Sequence, residues 1–320
     1  MKYTHTIDIL MSTYDGATYL EEQIDSIINQ DYEGWSLLIR DDGSADSTVK
    51  IINDFALNND RITIPGTDRK NIGPASSFMQ LLTHSTSDYF MFADQDDVWK
   101  PDKIKKTLAA MQEAEKQYGS NTPLLVHTNL RVVDEKLQPI APSFWKYQNL
   151  NPQLGSNLNR VMPQNVVTGC TVMINRALAE LAIPIPEDAI MHDWWLALVA
   201  AAFGKVICLD QATMLYRQHG SNSVGAKRWG AQRIFQQLRN AAAVRESMLK
   251  TMRQAEALLN RYRERMSPEQ IVMVEAYAAL PAMTKATRIK SLLKYRFFKH
   301  GLFRTIGFMA NLLMIERATP

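Results

Sequence analysis

An apolar run at Tyr89–Ala93 (YFMFA) leads directly into the acidic motif Asp94–Trp99 (DQDDVW). Such a run predicts a buried strand. Three aspartates within four positions repel one another, so keeping them ionised requires a cation or several hydrogen-bond donors. Oxygen ligands of this kind suit Mg²⁺ or Mn²⁺. The alternative is that one aspartate caps the helix that opens near Pro101 and that the others are solvated.

Shorter apolar runs upstream alternate with segments of helical period. The predicted strands are Ile7–Met11, Ser36–Ile39 and Ile62–Ile64, each followed by a predicted helix. Strands that alternate with helices require crossover connections, which favours a mostly parallel sheet. Downstream, further strands and one apolar helix are predicted at Leu124–His127, Val172–Ile174, Trp194–Phe203 (the helix), Val206–Leu209 and Thr213–Tyr216. We therefore expect an α/β fold with a mostly parallel, partly mixed sheet and helices on both faces.

The last third of the chain differs from the rest in pattern and in charge. From Trp229 onward the pattern is helical, with breaks predicted at Ser267-Pro268 and at Pro281. Residues 1–226 hold 18 Lys+Arg against 27 Asp+Glu, whereas residues 227–320 hold 18 against 6. We therefore expect an acidic α/β domain at 1–226 and a basic α-helical region at 227–320. A basic region with Met and Phe suits an anionic surface, and no nucleic-acid reader motif accompanies it.

Composition excludes several classes of protein. The chain has 320 residues, 46% hydrophobic and 22% charged, which fits a folded protein of one large domain or two small ones. Cys170 and Cys208 are too few for a disulfide framework or a zinc ribbon, and they fit a reducing compartment. No secretory h-region follows Met1, and Leu302–Ile315 is shorter than the ~20 residues that span a bilayer. Neither export nor a transmembrane helix is expected.

Polar segments follow the predicted strands at the positions where ligands bind. In an open α/β sheet the ligand lies beyond the carboxyl ends of the strands. Residues 12–16 (STYDG), 41–44 (DDGS) and 94–99 come at those ends, so five carboxylates from the second and fourth strands are expected on one rim. The glycine motifs of dinucleotide-binding and P-loop proteins are missing from the sequence. Neither a dinucleotide dehydrogenase nor a P-loop NTPase is supported.

Four segments in this order resemble the motifs of family 2 glycosyltransferases, which have the GT-A fold: 8–14 (DILMSTY), 40–44 (RDDGS), 94–99 (DQDDVW) and 192–195 (HDWW). The resemblance covers about residues 5–225. The DQDDVW form, with YRQHG at 216–220, is most similar to bacterial rhamnosyltransferase-like members that build surface polysaccharides. The resemblance implies an inverting, metal-dependent transferase with a nucleotide-sugar donor.

The resemblance places the donor nucleotide at the first strand ends. Asp42 matches the position that binds the base, and a carboxylate there accepts the N3–H of uracil or thymine, which favours a UDP or dTDP donor over CMP. Ser12, Thr13 and Tyr14 match positions that wall the base. Lys70 is a candidate contact for phosphate or sugar, and the alternative is a solvated lysine.

The resemblance also implies a site for Mn²⁺ or Mg²⁺. Asp94 matches the first acid of the motif, near the ribose and the metal, Asp96 matches the acid that binds the metal, and Asp97 is an outer partner. His219 is a candidate further ligand of the metal or the diphosphate, or else a structural histidine. The segment 168–170 (TGC) looks like one near the donor sugar, and its cysteine is not expected to be a nucleophile because no histidine or acid lies near it in sequence.

Asp193 matches the general base of the family, which takes the proton of the acceptor hydroxyl. It stands at the start of a predicted helix beside Trp194 and Trp195, whose apolar surface favours a raised pKa. The alternative role for Asp193 is that of helix N-cap. The family implies direct displacement with inversion at the anomeric carbon and no covalent intermediate.

The expected reaction moves L-rhamnose from dTDP-rhamnose to a hydroxyl of a lipid-linked surface polysaccharide. The alternatives are a UDP-sugar-dependent transferase and a membrane-associated nucleotide-sugar binder without catalysis. Nucleotidyl transfer is disfavoured because the Gly-rich, Arg-containing phosphate loop is missing after the first strand. Residues 294–313 suggest a helix in the lipid headgroup region of the inner membrane face, where the protein would be peripheral and cytoplasmic. The alternatives for this helix are packing on the catalytic domain and forming a homodimer, and no nucleic-acid partner is expected.

Overall fold

A single sheet organises the first two thirds of the chain. The computed structural model describes residues 5–66, 70–220, 225–226, 230 and 240–317. The strands in these ranges are β1 (Ile7–Thr13), β2 (Trp35–Asp41), β3 (Ile62–Thr63), β4 (Tyr89–Ala93), β5 (Val98–Trp99), β6 (Leu124–Val133), β7 (Pro139–Ala141), β8 (Val172–Asn175) and β9 (Lys205–Arg217). They lie in the order β3-β2-β1-β4-β8-β6-β9-β5, and β7 pairs with β6.

The sheet is parallel on one side and mixed on the other. β1 pairs in parallel with β2 and β4, and β2 in parallel with β3. β8 is antiparallel to both β4 and β6, whereas β6 and β9 run parallel. The predicted fold class, an α/β protein with a mostly parallel, partly mixed sheet, is confirmed.

Helices cover the sheet and make up the last part of the chain. The helices in the described ranges are α1 (Leu20–Ile28), α2 (Thr48–Asn58), α3 (Pro74–His84), α4 (Lys103–Tyr118), α5 (Phe144–Tyr147), α6 (Leu158–Val161), α7 (Arg176–Ala182), α8 (His192–Phe203), α9 (Ala241–Tyr262), α10 (Pro268–Ala278), α11 (Lys285–Tyr295) and α12 (Leu302–Leu313). Short 3-10 turns lie at Pro152–Ser156, Gly169–Thr171, Arg263–Arg265 and Leu280–Ala282.

Each face of the sheet has its own apolar core, because successive side chains along a strand point to opposite faces. In β1, Leu10 belongs to a core that includes residues of α3 and α8. Its neighbours Ile9 and Met11 belong to a second core that includes residues of α1 and α4. The expected placement of helices on both faces is confirmed.

β9 corrects the sequence prediction. Two strands were predicted, at Val206–Leu209 and Thr213–Tyr216, but the structure has one strand that spans both. The register of its pairing with β6 shifts on either side of Asn129, so an irregularity rather than a turn separates the two apolar runs. β9 also pairs antiparallel with the short strand β5, which brings its end at Arg217 to the acidic motif.

Smaller differences concern the ends of elements. β3 ends at Thr63, one residue before the predicted end, and α8 begins at His192 rather than Trp194. The predicted start of the helical region, at Trp229, lies outside the described residues, and the first described helix there is α9. α10 begins after a capping box, in which Ser267 accepts the N–H of Gln270 and the Gln270 side chain accepts the N–H of Ser267. The helix break predicted at Ser267-Pro268 is therefore present, and Pro281 lies in a 3-10 turn as the second break.

The helices of the basic region pack on α7 and α8. Trp195 and Tyr262 stack with ring centroids 6.1 Å apart, and the Tyr262 hydroxyl donates to the carbonyl of Leu181 over 2.7 Å. Leu258 and Tyr277 belong to the same apolar core as Trp195. The division at 226 into two domains stays a prediction. Within the described ranges, no helix combines the length and the apolar character that crossing a bilayer demands.

Candidate active site

The polar segments after β1, β2 and β4 lie side by side at one edge of the sheet. Thr13 is in register with Asp41 across β1 and β2, and Met11 with Ala93 across β1 and β4. Because the three strands are parallel, their carboxyl ends meet at this edge. The structure therefore brings the acids of the second and fourth strand ends to one rim.

A buried cluster of acids lies at the end of β4. Ligand atoms of Asp94, Asp97 and Cys170 all lie within 4.8 Å of one another. One carboxylate oxygen of Asp97 accepts the N–H of Arg217 over 3.0 Å, while the other has no hydrogen-bond partner among the described residues. Burial, and after it the charge of Asp96, raise the pKa of Asp94 to about 7 and raise the pKa of Asp97 well above its ordinary value. The cluster is therefore short of positive charge at neutral pH.

One cation, which the sequence analysis did not single out, lies beside this cluster. Lys103, the first residue of α4, is fully buried and donates from Nζ to the carbonyl of Cys170 over 2.6 Å. Its Nζ also lies 4.3 Å from the centroid of the Trp99 ring. Burial lowers the pKa of Lys103 to about 8, although the charges of Asp97 and Asp94 act against that shift. A single lysine therefore compensates the acids only in part.

The Asp96 carboxylate contacts His219, whereas the Asp97 carboxylate accepts the backbone N–H of Arg217. The Asp96 carboxylate lies 2.8 Å from Nε2 of His219, and the His219 ring packs on Tyr19 of the loop before α1 with centroids 4.7 Å apart. Arg217 donates from Nε to the Asp96 carbonyl over 2.9 Å, and its guanidinium packs on the same Tyr19 ring. The predicted metal candidates Asp96 and His219 are therefore in contact, held by β9 on one side and by Tyr19 on the other.

Asp42 is buried and already engaged by the protein. Arg40 donates from Nη1 to Asp42 over 2.6 Å, and the backbone N–H groups of Ile72 and Gly73 donate to the same carboxylate over 2.8 and 2.9 Å. Arg40 was not identified from the sequence, although a cation directly before an acidic pair at a strand end is a usable signal. Asp42 thus links the end of β2 to the loop before α3.

The remaining nucleotide candidates surround this link. The Ser12 hydroxyl donates to Ser77 over 2.7 Å, and the Thr13 hydroxyl donates to Asp41 over 3.1 Å. Tyr14 is 52% exposed. Lys70 has an exposed side chain, and its carbonyl accepts a hydrogen bond from Arg40 over 2.8 Å. Tyr14 and Lys70 are thus accessible to a ligand, whereas Thr13 is buried.

Gln95 ties the acidic motif to the loop after β1. Its side-chain oxygen accepts the N–H of Tyr14 over 2.8 Å, and its side-chain nitrogen donates to the Tyr14 carbonyl over 2.9 Å. A Cβ on Gly16 would lie 2.2 Å from the Gln95 side-chain oxygen, so only glycine leaves room for this clamp. The sequence alone gave no sign of it, because two loops remote in sequence form the contact.

Asp193 lies within electrostatic reach of the acid cluster. It is the second residue of α8 and does not act as the N-cap, because Met191 occupies that position. Its carboxylate accepts the N–H of Gly169 over 3.0 Å and the N–H of Trp194 over 2.6 Å. Burial raises the pKa of Asp193 to about 6, and its charge in turn raises the pKa of Asp94. A carboxylate with such a pKa is ionised at neutral pH and is suited to accept a proton.

His192, the residue before Asp193, packs in the apolar core. The ring is buried between Phe78 and Phe92, at centroid distances of 4.3 and 5.0 Å. Neither ring nitrogen has a hydrogen-bond partner among the described residues, and burial lowers the pKa of His192 to about 3. His192 is therefore a neutral packing group, although its polar type next to Asp193 favours a chemical role when only the sequence is read.

A sheet of this topology, with acids and a buried carboxylate at the strand ends, defines a class: transferases of the GT-A type that use nucleotide sugars. The chain belongs to glycosyl transferase family 2, since the model of that family matches residues 8–171. The resemblance stated from the sequence is thereby confirmed, and the protein is a glycosyltransferase.

Individual relatives agree with this assignment. The dTDP-rhamnosyl transferase RfbG of Shigella flexneri is 30% identical over 230 residues, which cover 68% of this chain and 74% of that protein. Among solved structures, S. aureus TarS 1-349 in complex with UDP-GlcNAc matches with a TM-score of 0.58 at 14% identity, covering 91% of this chain and 80% of that one. The mannosyltransferase PcManGT from Pyrobaculum calidifontis, in complex with GDP-Man and Mn²⁺, matches with a TM-score of 0.53 at 15% identity over 98% of this chain and 86% of that one. These two structures share the fold with this chain.

Proposed function

We propose that this glycosyltransferase inverts the anomeric carbon of a sugar as it moves that sugar from a nucleoside diphosphate to an acceptor hydroxyl. One observation carries the proposal: Asp193 accepts the N–H of Gly169, and the next residue, Cys170, lies within 4.8 Å of the ligand atoms of Asp94 and Asp97, so the proposed base and the acid cluster lie at one place. The acceptor oxygen forms a bond to the anomeric carbon while the bond from that carbon to the diphosphate oxygen breaks. The proton of the acceptor hydroxyl goes to Asp193, and the products are the glycoside and the nucleoside diphosphate.

The protein itself forms no covalent intermediate in this proposal. Cys170, the nucleophilic side chain nearest the cluster, is buried, and that burial raises the pKa of its thiol well above the ordinary value. A neutral thiol is a poor nucleophile. Direct displacement, which requires only Asp193 as base, is therefore the simpler route.

A divalent ion, Mn²⁺ or Mg²⁺, belongs to the proposal. Asp94, Asp96 and His219 would hold it, with Asp97 as an outer partner; carboxylate oxygens are the ligands that these two ions favour, and His219 enters the set through its contact with Asp96. The unpartnered oxygen of Asp97 and the raised pKa of Asp94 fit a site that lacks positive charge. The Mn²⁺ of the mannosyltransferase complex favours the same assignment. When bound, the ion neutralises charge on the departing diphosphate.

In this proposal the donor nucleotide lies against the loop after β1. Tyr14 and the backbone of Ser12 and Thr13 wall the base, Lys70 contacts phosphate or sugar, and Asp42 faces the base N3–H. A carboxylate has about four acceptor sites, so the three donors that already reach Asp42 leave capacity for one more. We take the donor to be dTDP-rhamnose, which the similarity to a dTDP-rhamnosyl transferase supports. A UDP-sugar is the second candidate, supported by the likeness in fold to TarS bound to UDP-GlcNAc.

The acceptor in this proposal is a hydroxyl of a lipid-linked surface polysaccharide. Residues 1–226 then form the catalytic domain, and the basic region 227–320 holds the protein at the cytoplasmic face of the membrane. That region holds 18 basic and 6 acidic residues, and this excess of positive charge supports attraction to anionic lipid. A homodimer formed through the same region is the alternative.

A panel of donors tests the choice of substrate. Hydrolysis and thermal stabilisation are measured with dTDP-rhamnose, UDP-GlcNAc, GDP-mannose and a CMP-sugar, each with Mn²⁺, with Mg²⁺ and with a chelator. We expect hydrolysis and stabilisation with dTDP-rhamnose and their loss in chelator. A preference for UDP-sugars would replace the donor and leave the reaction class intact, while turnover in chelator would remove the metal from the proposal.

Paired variants test the chemistry. Asp96→Asn and Asp193→Asn are each expected to reduce sugar transfer by at least roughly 1,000-fold, since one removes a metal ligand and the other the base. Asp54→Asn, at an exposed ion pair with Lys50 on α2, is the matched control. If wild-type protein binds the donor but never yields a glycoside with any saccharide acceptor, the alternative of a binder without catalysis replaces the proposal.

A further inference from the structure

α12 presents an apolar face that no described residue covers. Leu302, Phe303 and Ile306 are 70%, 67% and 52% exposed. Their spacing places them on one side of the helix, while Phe308 and Leu312, on the opposite side, are buried in the apolar core. The helix is thus apolar on two sides, one of which packs in the core while the other faces solvent.

Cations accompany this face. The segment 285–317 holds eight Lys and Arg residues and one acid, Glu316. On α11 the exposed Leu293 stands between the exposed Lys290 and Lys294, and exposed Arg296 follows the helix. Apolar side chains that enter the acyl boundary, with lysine and arginine nearby, are typical of helices that lie in the headgroup region of an anionic bilayer.

A second copy of the chain fits this surface less well. In a two-fold dimer the same patch occurs on both sides of the interface. Each copy would then bring the exposed cations Lys290, Lys294 and Arg296 to the interface, and like charges oppose such pairing. Charge complementarity therefore favours anionic lipid as the occupant.

α12 and the turn before it are also attached to residues 148–164, a stretch that includes α6. The Arg304 guanidinium donates to the carbonyls of Gln148 and Asn149. The N–H of Asn151 donates to Nδ1 of His300 over 3.0 Å, and the N–H of His300 donates to the Gln164 side chain over 2.9 Å. These contacts hold α12 in place without covering Leu302, Phe303 or Ile306.

That stretch in turn reaches the helix of the candidate base. The indole N–H of Trp194 donates to the carbonyl of Val161 over 2.8 Å, and Trp194 directly follows Asp193. A short series of contacts therefore connects α12, through Arg304 and His300, to the helix that carries the proposed base.

We propose that α12, through Leu302, Phe303 and Ile306, docks into the headgroup region of an anionic bilayer while the cations of α11 contact its lipid phosphates. A lipid-linked acceptor would then lie in the same bilayer as α12, a consequence that rests on the proposed function. The docking itself depends only on the exposed side chains of α12 and the cations of α11, not on the proposed reaction.

Flotation of the full chain with vesicles tests the docking. Vesicles of phosphatidylcholine alone are compared with vesicles that contain phosphatidylglycerol, at low and at high salt. We expect binding to the anionic vesicles, weakened by salt, and a loss of roughly tenfold or more in Phe303→Glu/Ile306→Glu. Leu57→Glu, at an 83% exposed position on α2, is the matched control and retains binding.

Three further measurements accompany flotation: thermal unfolding, donor hydrolysis and the oligomeric state of the protein. Thermal unfolding of each variant shows that the fold is retained, and donor hydrolysis without vesicles is expected to be equal in wild type and Phe303→Glu/Ile306→Glu. Vesicle binding without hydrolysis would uphold the docking and overturn the reaction. No flotation with any vesicle, or equal flotation of the double variant, would overturn the docking. A wild-type dimer that the double variant converts to a monomer, with no flotation, would assign the face to a second copy.

Discussion

The Asp193 carboxyl is useful as a base only when it is ionised, and its surroundings determine when that happens. Burial raises its pKa to about 6, against backbone hydrogen bonds from Trp194, Gly169 and Asp193 itself, which stabilise the charge. We therefore expect kcat/KM to rise with pH through about 6 and to fall about tenfold per pH unit well below it. A pH profile of sugar transfer measures this directly.

The matched control for that profile is Asp54→Asn, which should leave the acidic limb unchanged. Asp193→Glu should move the limb and lower the plateau, because the longer side chain places the carboxylate differently. A wild-type profile that stays flat from pH 7 down to pH 4.5 would show that Asp193 does not accept the proton.

Gly169 donates its N–H to Asp193, and it can approach that closely because it has no side chain to collide with His192. A Cβ at this position would lie 2.9 Å from Nε2 of His192, which is itself enclosed by Phe78 and Phe92. Gly169→Ala should therefore displace the N–H that donates to Asp193 and lower kcat by about 10- to 100-fold, with a small change in KM. Gly307→Ala on α12, where a Cβ meets nothing within 4 Å, is the control. Equal kcat in the two variants would contradict the positioning role of Gly169.

The rule for strand ends is general, and it led to Asp42 and Asp94, whereas Asp193 was identified by its resemblance to the base of the family. Their roles stay predictions. Lys103 was not identified, because four lysines occur between positions 100 and 106 and nothing local shows which one is buried. Arg40 was also missed, although its position directly before Asp41 and Asp42 was a usable signal. For Lys103, tertiary packing rather than local sequence determines which cation is buried.

Arg288 of α11 caps the carboxyl end of α12. Arg288, buried, donates to the carbonyls of Leu280 and Pro281 in the turn before α11 and to those of Leu312 and Ile315 at the end of α12. Arg288→Met should leave these carbonyls short of donors and lower the free energy of unfolding by about 3 kcal/mol. Urea unfolding gives the value.

Lysine at that position should recover only part of the loss, because one ammonium cannot match the planar fork of the guanidinium. Lys285→Met, at an exposed site on the same helix, is the control and should change the midpoint little. If Arg288→Met unfolds at the same urea concentration as wild type, the cap contributes nothing to stability.

Elements with strong local signals were predicted well, and those that depend on pairing were not. The break predicted at Ser267-Pro268 coincides with the start of α10. β9 was divided in two because Asp210 and Gln211 interrupt its apolar pattern, and only the pairing with β6 carries the strand through them. The two polar residues therefore ended the predicted strand at Leu209, whereas in the structure the pairing with β6 continues it.

The basic region and the α/β domain share one apolar core. Trp195 packs with Leu258, Tyr262 and Tyr277 in that core. Each large side chain that loses its cover gives up about 1.5–3 kcal/mol, and a folded domain has only about 5–15 kcal/mol to lose. We therefore expect a fragment of residues 1–226 to be insoluble, or to unfold without a cooperative transition, in contrast to the full chain under the same conditions.

Calorimetry and light scattering of that fragment measure both properties. A monomeric fragment with a sharp transition would establish 1–226 as an independent domain, as the charge division alone predicts. The sequence indicated which residues of α9 and α10 are apolar, but periodicity does not reveal what an apolar face packs against. The shared core was for that reason not predictable.

The clamp between Gln95 and Tyr14 has a thermodynamic consequence. It joins the loop proposed to hold the nucleotide to the loop proposed to hold the ion, so ordering one loop lowers the entropy lost when the other is ordered. Linkage then requires reciprocity: Mn²⁺ should tighten the binding of dTDP by the same factor by which dTDP tightens the binding of Mn²⁺. Calorimetric titrations of each ligand with and without the other give both factors, and Gln95→Ala should bring them closer to one.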